Sequence, residues 1–331
     1  MGRAVERWSM RWRARSEARS DVRVDILIEG QEDVSWPDWL ALAETCERGG
    51  ISTLFRSDHY LSVVGRRERG SLDAWTTIGA LAATTSTLRL GTLVSPVTFR
   101  HPSVLAKAAV TADHVSGGGR IEVGIGAGWL EDEHARYGFP FPSTGERFEL
   151  LEEQIEIVRR QWTETGLEFR GRRYTLEGLD ALPKPVSPPN LIVGGRARRR
   201  SLALAVRWAD EYNLVMMDVD EARRRRTDIE RACEEAGRDP LTVSLMTGSV
   251  IGADEADLAD RARRLAELRG EGDADPEAYI ASLPGHWIVG TAVQARERLA
   301  ELERAGVERV MLQYLTHRDL EGVEVLARLG A

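Results

Sequence analysis

The sequence is poor in cysteine and contains no long apolar run, and each absence narrows what the protein can be. Only two cysteines, Cys46 and Cys233, occur among 331 residues. Neither lies in a spacing typical of metal ligands or of a disulfide framework. We therefore expect two reduced, buried thiols, no metal site and a cytoplasmic protein. No apolar run reaches the roughly 20 residues that cross a bilayer, so a membrane protein is not expected.

Lysine is also nearly absent. Of the 45 lysines and arginines, only Lys107 and Lys184 are lysines, so an isolated arginine is weak evidence of a binding site. The net charge is −8, and an acidic chain has no overall attraction for nucleic acid or anionic membranes. Residues 1–20 are basic but lack an apolar stretch, which predicts a disordered tail rather than a secretory signal. Residues 21–331 are expected to form a single domain.

Strand-like and helix-like segments alternate along the rest of the chain, and this order predicts a parallel sheet. Eight strand–helix units match an α/β fold of the (β/α)8 TIM-barrel type with insertions. Residues 129–145 are predicted to be a loop, residues 166–190 a hairpin with a Pro-rich connection, and residues 254–282 a charged helical insertion. The predicted strands cover 22–28, 52–56, 88–94, 121–125, 191–193, 212–217, 242–251 and 309–314. A doubly wound sheet is disfavoured because no strand is followed by a complete dinucleotide-binding glycine loop.

In a β/α barrel the reactive groups lie at the C-terminal ends of the strands. The predicted second strand ends in Asp58, His59 and Tyr60. Adjacent Asp and His side chains offer a hydrogen-bond acceptor and a proton donor to one planar ligand, and histidine changes its charge near neutral pH. A structural alternative stays open, in which Asp58 caps the next segment and His59 is an ordinary loop residue.

Glycines collect at the ends of two later strands. The segment 124–128 (Gly-Ile-Gly-Ala-Gly) indicates room for a flat group with Trp129 as a wall, although a flexible hinge explains the same composition. Gly194 and Gly195 precede a predicted helix, and backbone N–H groups at a helix start bind anions, so this pattern predicts a phosphate site. Residues 131–134 (Glu-Asp-Glu-His) are interpreted as a solvated face rather than a metal site.

Together these segments resemble the luciferase-like monooxygenases, and in particular their branch of coenzyme F420-dependent oxidoreductases. The resemblance extends from about Val22 to Leu329. It rests on the motifs SDH at 57–59, LDAWT at 72–76, LRLGTLVSPVTFRHP at 88–102, GGGRIEVGIGAGW at 117–129, LPKPV at 182–186, LIVGG at 191–195, WADEYN at 208–213 and VMLQY at 310–314.

The resemblance implies a TIM barrel, often dimeric, that holds F420, or alternatively FMN, across its C-terminal mouth. It implies that Asp58 contacts the cofactor ring, that His59 donates a proton near the reactive atom, and that a cis peptide between Leu93 and Val94 forms a bulge behind the ring. The other implied cofactor contacts are Ser95, Ala127, Gly128, Gly194, Gly195, Arg196, Arg198 and Arg199. Glucose-6-phosphate dehydrogenases of this branch carry a glutamate at the position of Trp129, so a sugar substrate is not expected. An apolar substrate pocket is expected instead, lined by Tyr60, Trp75, Phe99, Trp129 and Met216.

Three functions stay open at this point. The first is hydride transfer between F420 and a small organic substrate, and the second is an FMN-dependent monooxygenase reaction with O2. The third is a non-catalytic barrel that binds flavin, which the intact strand ends disfavour. In each case we expect a homodimer that binds neither nucleic acid nor membrane.

Overall fold

Eight parallel strands close into a barrel in the computed structural model, which describes residues 22–66, 68–272 and 274–330. The barrel strands are β1 (Arg23–Ile28), β2 (Thr53–Arg56), β3 (Arg89–Pro96), β4 (Ile121–Gly126), β7 (Asn190–Gly195), β8 (Glu211–Val215), β9 (Thr242–Gly252) and β11 (Arg309–Gln313). They pair in the order β1–β2–β3–β4–β7–β8–β9–β11, and β11 pairs with β1 to close the barrel. The predicted TIM barrel is confirmed. The tail predicted over residues 1–20 lies outside the described residues.

Helices alternate with these strands, and local signals in the sequence set where they begin and end. Ser35 and Asp38 form a capping box at the start of the first helix, Pro37 lies in its first turn, and Gly50 ends it in the left-handed conformation. The helices are α1 (Trp36–Gly49), α2 (Ala74–Thr84), α3 (Pro102–Val115), α4 (Glu131–Tyr137), α5 (Thr144–Thr163), α6 (Arg199–Trp208), α7 (Val219–Glu235), α8 (Glu255–Arg269), α9 (Pro276–Ser282), α10 (Ala292–Arg304) and α11 (Leu320–Ala327). None of the described helices is long and apolar enough to cross a membrane.

Two segments depart from the sequence prediction. The segment 129–145 is not a continuous loop, because it contains α4, which ends at Gly138 in the left-handed conformation. A further strand, β10 (Ile288–Thr291), pairs with the last part of β9, beyond the residues of β9 that pair with β11. The predicted hairpin is present as the antiparallel pair β5 (Leu167–Arg170) and β6 (Thr175–Leu179), and α8 and α9 form the predicted helical insertion.

The guanidinium of Arg309 joins four other strands at the N-terminal end of the barrel. Its Nη1 donates to the carboxylates of Glu122 at 2.6 Å and Glu211 at 3.0 Å. Its Nη2 donates to Glu122 and to the hydroxyl of Thr53, and its Nε donates to Asp25. Arg309 is only 1% exposed, so this network closes the bottom of the barrel interior. A buried charge is costly unless it is paired, and the carboxylates around Arg309 supply its partners.

The shared guanidinium affects its carboxylates unequally. Burial opposes ionisation of Glu122, but the attraction of Arg309 and Arg89 outweighs it and lowers the pKa of Glu122 to about 2. Burial prevails at Glu211, whose pKa is raised although Arg309 opposes the change. Glu122 is therefore the carboxylate of this network whose ionised form Arg309 favours most clearly.

Replacing Arg309 with Met is expected to lower the free energy of unfolding by about 3–5 kcal/mol, the usual cost of breaking a buried ion pair. The variant leaves the carboxyls of Asp25, Glu122 and Glu211 without their common partner. Urea denaturation measures the loss. The matched control is Arg304→Met, which changes an exposed arginine at the end of α10. If both variants lost the same small amount, the network would not stabilise the barrel.

Candidate active site at the barrel mouth

Asp58 follows β2 and lies at the C-terminal mouth of the barrel, where the ends of parallel strands meet. It is 1% exposed. Its Oδ2 accepts hydrogen bonds from the hydroxyl of Ser95 at 2.6 Å and from Nη1 of Arg100 at 2.5 Å. Its Oδ1 has no hydrogen-bond partner among the described residues. The mouth therefore contains a buried acceptor that is half satisfied and compensated by one arginine.

His59, the next residue, is held from one side. Its Nδ1 lies 2.9 Å from Oε2 of Glu133, and its side chain is 13% exposed. Glu133 belongs to α4, and its Oε1 accepts the backbone N–H groups of Tyr60 and Leu61. The ring of Trp129 meets the His59 ring edge-on, with centroids 5.6 Å apart. Glu133 thus fixes both the histidine and the backbone that follows it.

Tyr60 has a hydroxyl that is already engaged. It donates to Oδ2 of Asp73 at 2.9 Å and accepts from Nη2 of Arg100 at 3.2 Å. Burial raises the pKa of Tyr60 far above its usual value. The ring of Tyr60 packs against Phe99 and Phe139, with centroids 5.3 and 6.0 Å away. This residue presents an aromatic wall to the mouth, and its bound hydroxyl is a poor proton donor.

The end of β3 forms an irregular segment beside Asp58. The peptide bond between Leu93 and Val94 is cis, and the register between β3 and β4 shifts between Thr92 and Ser95. The predicted cis peptide and bulge are therefore present. Ser95 connects the bulge to its surroundings, since its hydroxyl donates to Asp58 and accepts from the indole N–H of Trp75 at 3.0 Å.

Two glycines near this bulge were predicted to leave room for a flat ligand, but they lie against the residues of the bulge itself. A Cβ atom on Gly124 would lie 2.3 Å from the carbonyl oxygen of Thr92, and one on Gly126 would lie 2.7 Å from Cγ2 of Val94. A Cβ on Gly194 would lie 3.3 Å from Cγ1 of Val94. These glycines make room for the bulge, which fills the space expected for a flat ligand. The interpretation of segment 124–128 as a cavity is wrong at Gly124 and Gly126.

The start of α6 is the helix terminus most open to an anion. Its N-cap residue, Arg198, makes no side-chain capping bond, and no acidic residue lies in the first turn. Tyr212 shapes the preceding turn, because its hydroxyl accepts the N–H of Ala197 at 2.8 Å and lies 2.9 Å from the hydroxyl of Ser201. Ala197 has a positive φ of 47°. The exposed N–H groups of this turn therefore lack a partner from the helix itself.

The arginines around this helix start differ in their contacts. Arg196 donates to both oxygens of Glu221 at 3.0 Å, and Arg200 pairs with Glu152. The side chains of Arg198 and Arg199 are exposed, and the described residues give them no ion pair. Of the predicted phosphate ligands, Arg198 and Arg199 are thus the two whose charge is unneutralised.

The remaining predicted site residues lie in mixed surroundings. Trp75 is buried on α2 and reaches the mouth only through its bond to Ser95. Met216, which has a φ of 50°, packs against the apolar cluster of the α8–α9 insertion. Trp129 is 62% exposed. Ala127 and Gly128 are half-buried after β4, and Gly128 has a positive φ of 79°. Their cofactor and substrate roles stay predictions.

Glu133 and Arg100 are site residues that the sequence analysis did not identify. The segment 131–134 was expected to be a solvated face, but Glu133 is 0% exposed and His134 is 1% exposed. His134 is fully bonded, through Thr98 at one ring nitrogen and the carbonyl of Leu130 at the other. Only the first two residues of that run face solvent. Helical spacing after Trp129 was the available signal, and it was hidden because α4 was expected to be a loop.

No group of three or more potential metal ligands occurs in the part of the chain that the structure describes.

Residues 19–309 match the family model of the luciferase-like monooxygenases. The chain belongs to this family. The match covers most of the barrel and includes every element that forms the mouth described above.

Relatives of this luciferase-like barrel use two different cofactors. The F420-dependent hydroxymycolic acid dehydrogenase of Mycobacterium tuberculosis is 27% identical over 268 residues, 76% of this chain and 72% of that protein. The FMNH2-dependent dimethylsulfone monooxygenase of Pseudomonas fluorescens is 28% identical over 264 residues, 71% of each chain. The crystal structure of monooxygenase RslO1 from Streptomyces bottropensis superposes with a TM-score of 0.75 and 22% identity, over 93% of this chain and 97% of that one. Members of the family are F420- or FMN-dependent oxidoreductases and monooxygenases, and the luciferase-like chain described here is accordingly an enzyme of this type.

The contact between Val94 and Gly126 of this luciferase-like enzyme can be tested by a double-mutant cycle. Gly126→Ala places a Cβ against Val94 only, and overpacking of this kind costs about 1–3 kcal/mol in the free energy of unfolding. Val94→Ala removes the opposing methyl groups and is expected to recover at least half of that loss in the double variant, measured by urea denaturation. Gly124→Ala is the control, because its Cβ meets the carbonyl oxygen of Thr92 at 2.3 Å as well as Cγ1 of Val94 at 2.9 Å. Val94→Ala relieves only the second of these contacts and should recover a smaller part of the loss. Equal rescue of both glycine variants would contradict this account of the bulge.

Proposed function

We propose that this enzyme is an F420-dependent oxidoreductase that transfers a hydride between the deazaflavin and a small, apolar organic substrate. One observation carries the proposal. A histidine able to donate a proton and a helix start able to bind a phosphate lie on the same barrel mouth, at the ends of β2 and β7. The bulge at 93–95 lies between them, in contact with Asp58 on one side and Gly194 on the other.

The residues of the mouth fit the polar edge of a deazaflavin ring. The unpartnered Oδ1 of Asp58 is a buried acceptor, and leaving such an atom unsatisfied costs about 1–3 kcal/mol. A ring N–H group would satisfy it. Nη1 of Arg100, bonded to Oδ2, places a positive charge beside the carboxylate and leaves Oδ1 as its free acceptor. Asp58 and Ser95 are accordingly the residues we expect to hold the ring.

The start of α6 fits the anionic tail. The free N–H groups of its first turn and the positive end of the helix dipole favour a phosphate. F420 carries glutamate carboxylates beyond its phosphate, whereas FMN ends in the phosphate itself. Arg198 and Arg199 carry two unpaired guanidinium groups, so one can pair with the phosphate and the other with a carboxylate beyond it, and this favours F420.

The wall of the mouth fits an apolar substrate. Tyr60, Phe99, Tyr137 and Phe139 form one aromatic cluster next to His59, and their ring centroids lie 4.8–6.1 Å apart. The carboxylates nearest to it, Asp73 and Glu133, are already bonded. Such a surface attracts aromatic or aliphatic groups and offers little to a sugar.

When it is bound, F420 supplies hydride chemistry at a ring carbon that replaces the N5 of flavins. His59 then has to hold and deliver the accompanying proton, and the raised pKa of its imidazole suits that task near neutral pH.

FMN-dependent oxygenation is the second candidate function, and the similarity to the dimethylsulfone monooxygenase favours it. A non-catalytic flavin-binding barrel is disfavoured because His59 and Asp58 both keep their partners. We further propose that the protein acts in the cytoplasm as a homodimer.

Replacing Arg199 with Glu is expected to weaken F420 binding at least tenfold, about 1.4 kcal/mol, because it reverses a charge beside the proposed phosphate site. A fluorescence titration with F420 measures the affinity. Arg207→Glu is the matched control, since Arg207 is an exposed arginine in the last turn of the same helix. Equal affinity of the Arg199 variant and the parent would remove this helix start from the site.

Replacing His59 with Ala is expected to lower turnover by roughly 10²–10⁴-fold, the usual effect of losing a general acid. F420 affinity should change much less, because the proposed tail contacts lie on the β7 loop. Stopped-flow measurement of cofactor oxidation separates binding from reaction. Tyr60→Phe serves as the comparison and should react nearly at the parental rate, since its hydroxyl is held by Asp73 and Arg100. Normal reaction of the His59 variant together with a slow Tyr60 variant would transfer the acid role to Tyr60.

A further inference from the structure

We propose that Glu133 is the positioning residue that decides which nitrogen of His59 exchanges a proton with the substrate. The inference rests on the proposed function, because it assigns His59 the role of the acid. The evidence for it lies in the contacts of one buried carboxylate on α4, and these contacts exist independently of any bound cofactor.

Both oxygens of the Glu133 carboxylate are engaged by hydrogen bonds. Oε2 faces Nδ1 of His59 at 2.9 Å, and Oε1 accepts the N–H groups of Tyr60 and Leu61, the second at 3.0 Å. Burial opposes its ionisation, but the hydrogen bonds from His59 and from these amides prevail and lower the pKa of Glu133. An ionised carboxylate only accepts hydrogen bonds, so the proton between the two side chains belongs to Nδ1.

This assignment leaves one nitrogen for chemistry. Nε2 of His59 bonds to none of the described residues, and it is the atom from which a proton can leave. A bound deazaflavin would supply the hydride for one atom of a substrate double bond, and the other atom of that bond would then need a proton. That atom takes the proton from Nε2, and the imidazole is left neutral with Nδ1–H still on Glu133. Water returns the proton to Nε2 afterwards.

The charges around His59 come from three elements. Glu133 lies on α4, Glu29 follows β1, and Asp58 precedes the histidine after β2. Asp58 is compensated by Arg100, and Glu29 accepts hydrogen bonds from the amides of Gln31 and Gln313. Glu133 is therefore the carboxylate in direct contact with the ring.

The titration of His59 follows from this arrangement. Burial works against the imidazolium, but the hydrogen bond and the charge of Glu133 outweigh it, so the pKa of His59 is raised. A raised pKa keeps the imidazolium populated to higher pH. The His59 imidazolium should therefore act as an acid below that pKa and be deprotonated above it. Removal of the Glu133 charge should move this deprotonation to lower pH.

The first test is an NMR titration of the cofactor-free protein. The chain contains six histidines, and the His59 signal is assigned by its absence from His59→Ala. Glu133→Gln keeps the size of the side chain and an oxygen for the backbone amides but removes the charge. We expect its His59 to titrate at clearly lower pH than in the parent, and Glu133→Asp to lie between the two. Glu131→Gln, which changes an exposed carboxylate in the same turn of α4, should leave the titration unchanged.

The second test is the pH profile of turnover with F420 and a substrate. In Glu133→Gln the fall in kcat on the alkaline side should move to lower pH in parallel with the NMR titration, while KM for F420 stays within about twofold of the parent.

An unchanged His59 titration in Glu133→Gln would overturn the proposal whatever the enzyme does with F420. If the NMR shift appeared but F420 gave no turnover, the proposed function would fail and the link between Glu133 and His59 would stand. Should Glu133→Gln fail to fold, Glu133→Asp decides. Its shorter side chain weakens the contact with Nδ1, so its His59 should titrate at lower pH than in the parent, and a parental titration in the folded variant would overturn the proposal.

Discussion

The guanidinium of Arg309 is the contact on which the geometry of the barrel depends. It lies on β11 and binds side chains of β1, β2, β4 and β8, so a single group fixes the relative positions of five strands at the N-terminal end. Parallel strands held in register at one end also meet in register at the other. The positions of Asp58 after β2 and Gly194 in β7 follow from that. The charged groups at the N-terminal end of the barrel stabilise the fold, whereas those at the mouth can contact a ligand.

At the mouth, packing and chemistry use the same few residues. The bulge at Leu93 and Val94 fills the space beside three glycines and presents Ser95 to Asp58. Arg100 forms an ion pair with Asp58 and donates a hydrogen bond to the hydroxyl of Tyr60. The histidine is held from the opposite side by Glu133. Among the described residues, Oδ1 of Asp58 and Nε2 of His59 have no hydrogen-bond partner in this wall, and a bound ring and a departing proton require such free atoms.

Much of the fold could be predicted from the sequence, because the strands are dense in β-branched and apolar residues and most helices carry their own caps. The barrel strand ends that carry Asp58, His59 and Gly195 were found for the same reason. The predictions that failed concerned residues whose partners lie far away in the sequence. Glu133 seemed solvated because its partner His59 is 74 residues away. Gly124 and Gly126 seemed to leave a cavity because Val94, which fills it, comes from another strand. The helix α4 was missed since its acidic sequence lies between aromatic, Gly and Pro residues that are typical of a loop.

We propose that this family member binds a deazaflavin rather than FMN. This preference is tested most directly by titrating the cofactor-free protein with F420 and with FMN under the same conditions, and by following fluorescence. The unpaired charges of Arg198 and Arg199 predict that F420 binds at least tenfold more tightly than FMN, a difference of about 1.4 kcal/mol. Tighter binding of FMN would contradict the account and would make flavin-dependent oxygenation the better description of this enzyme.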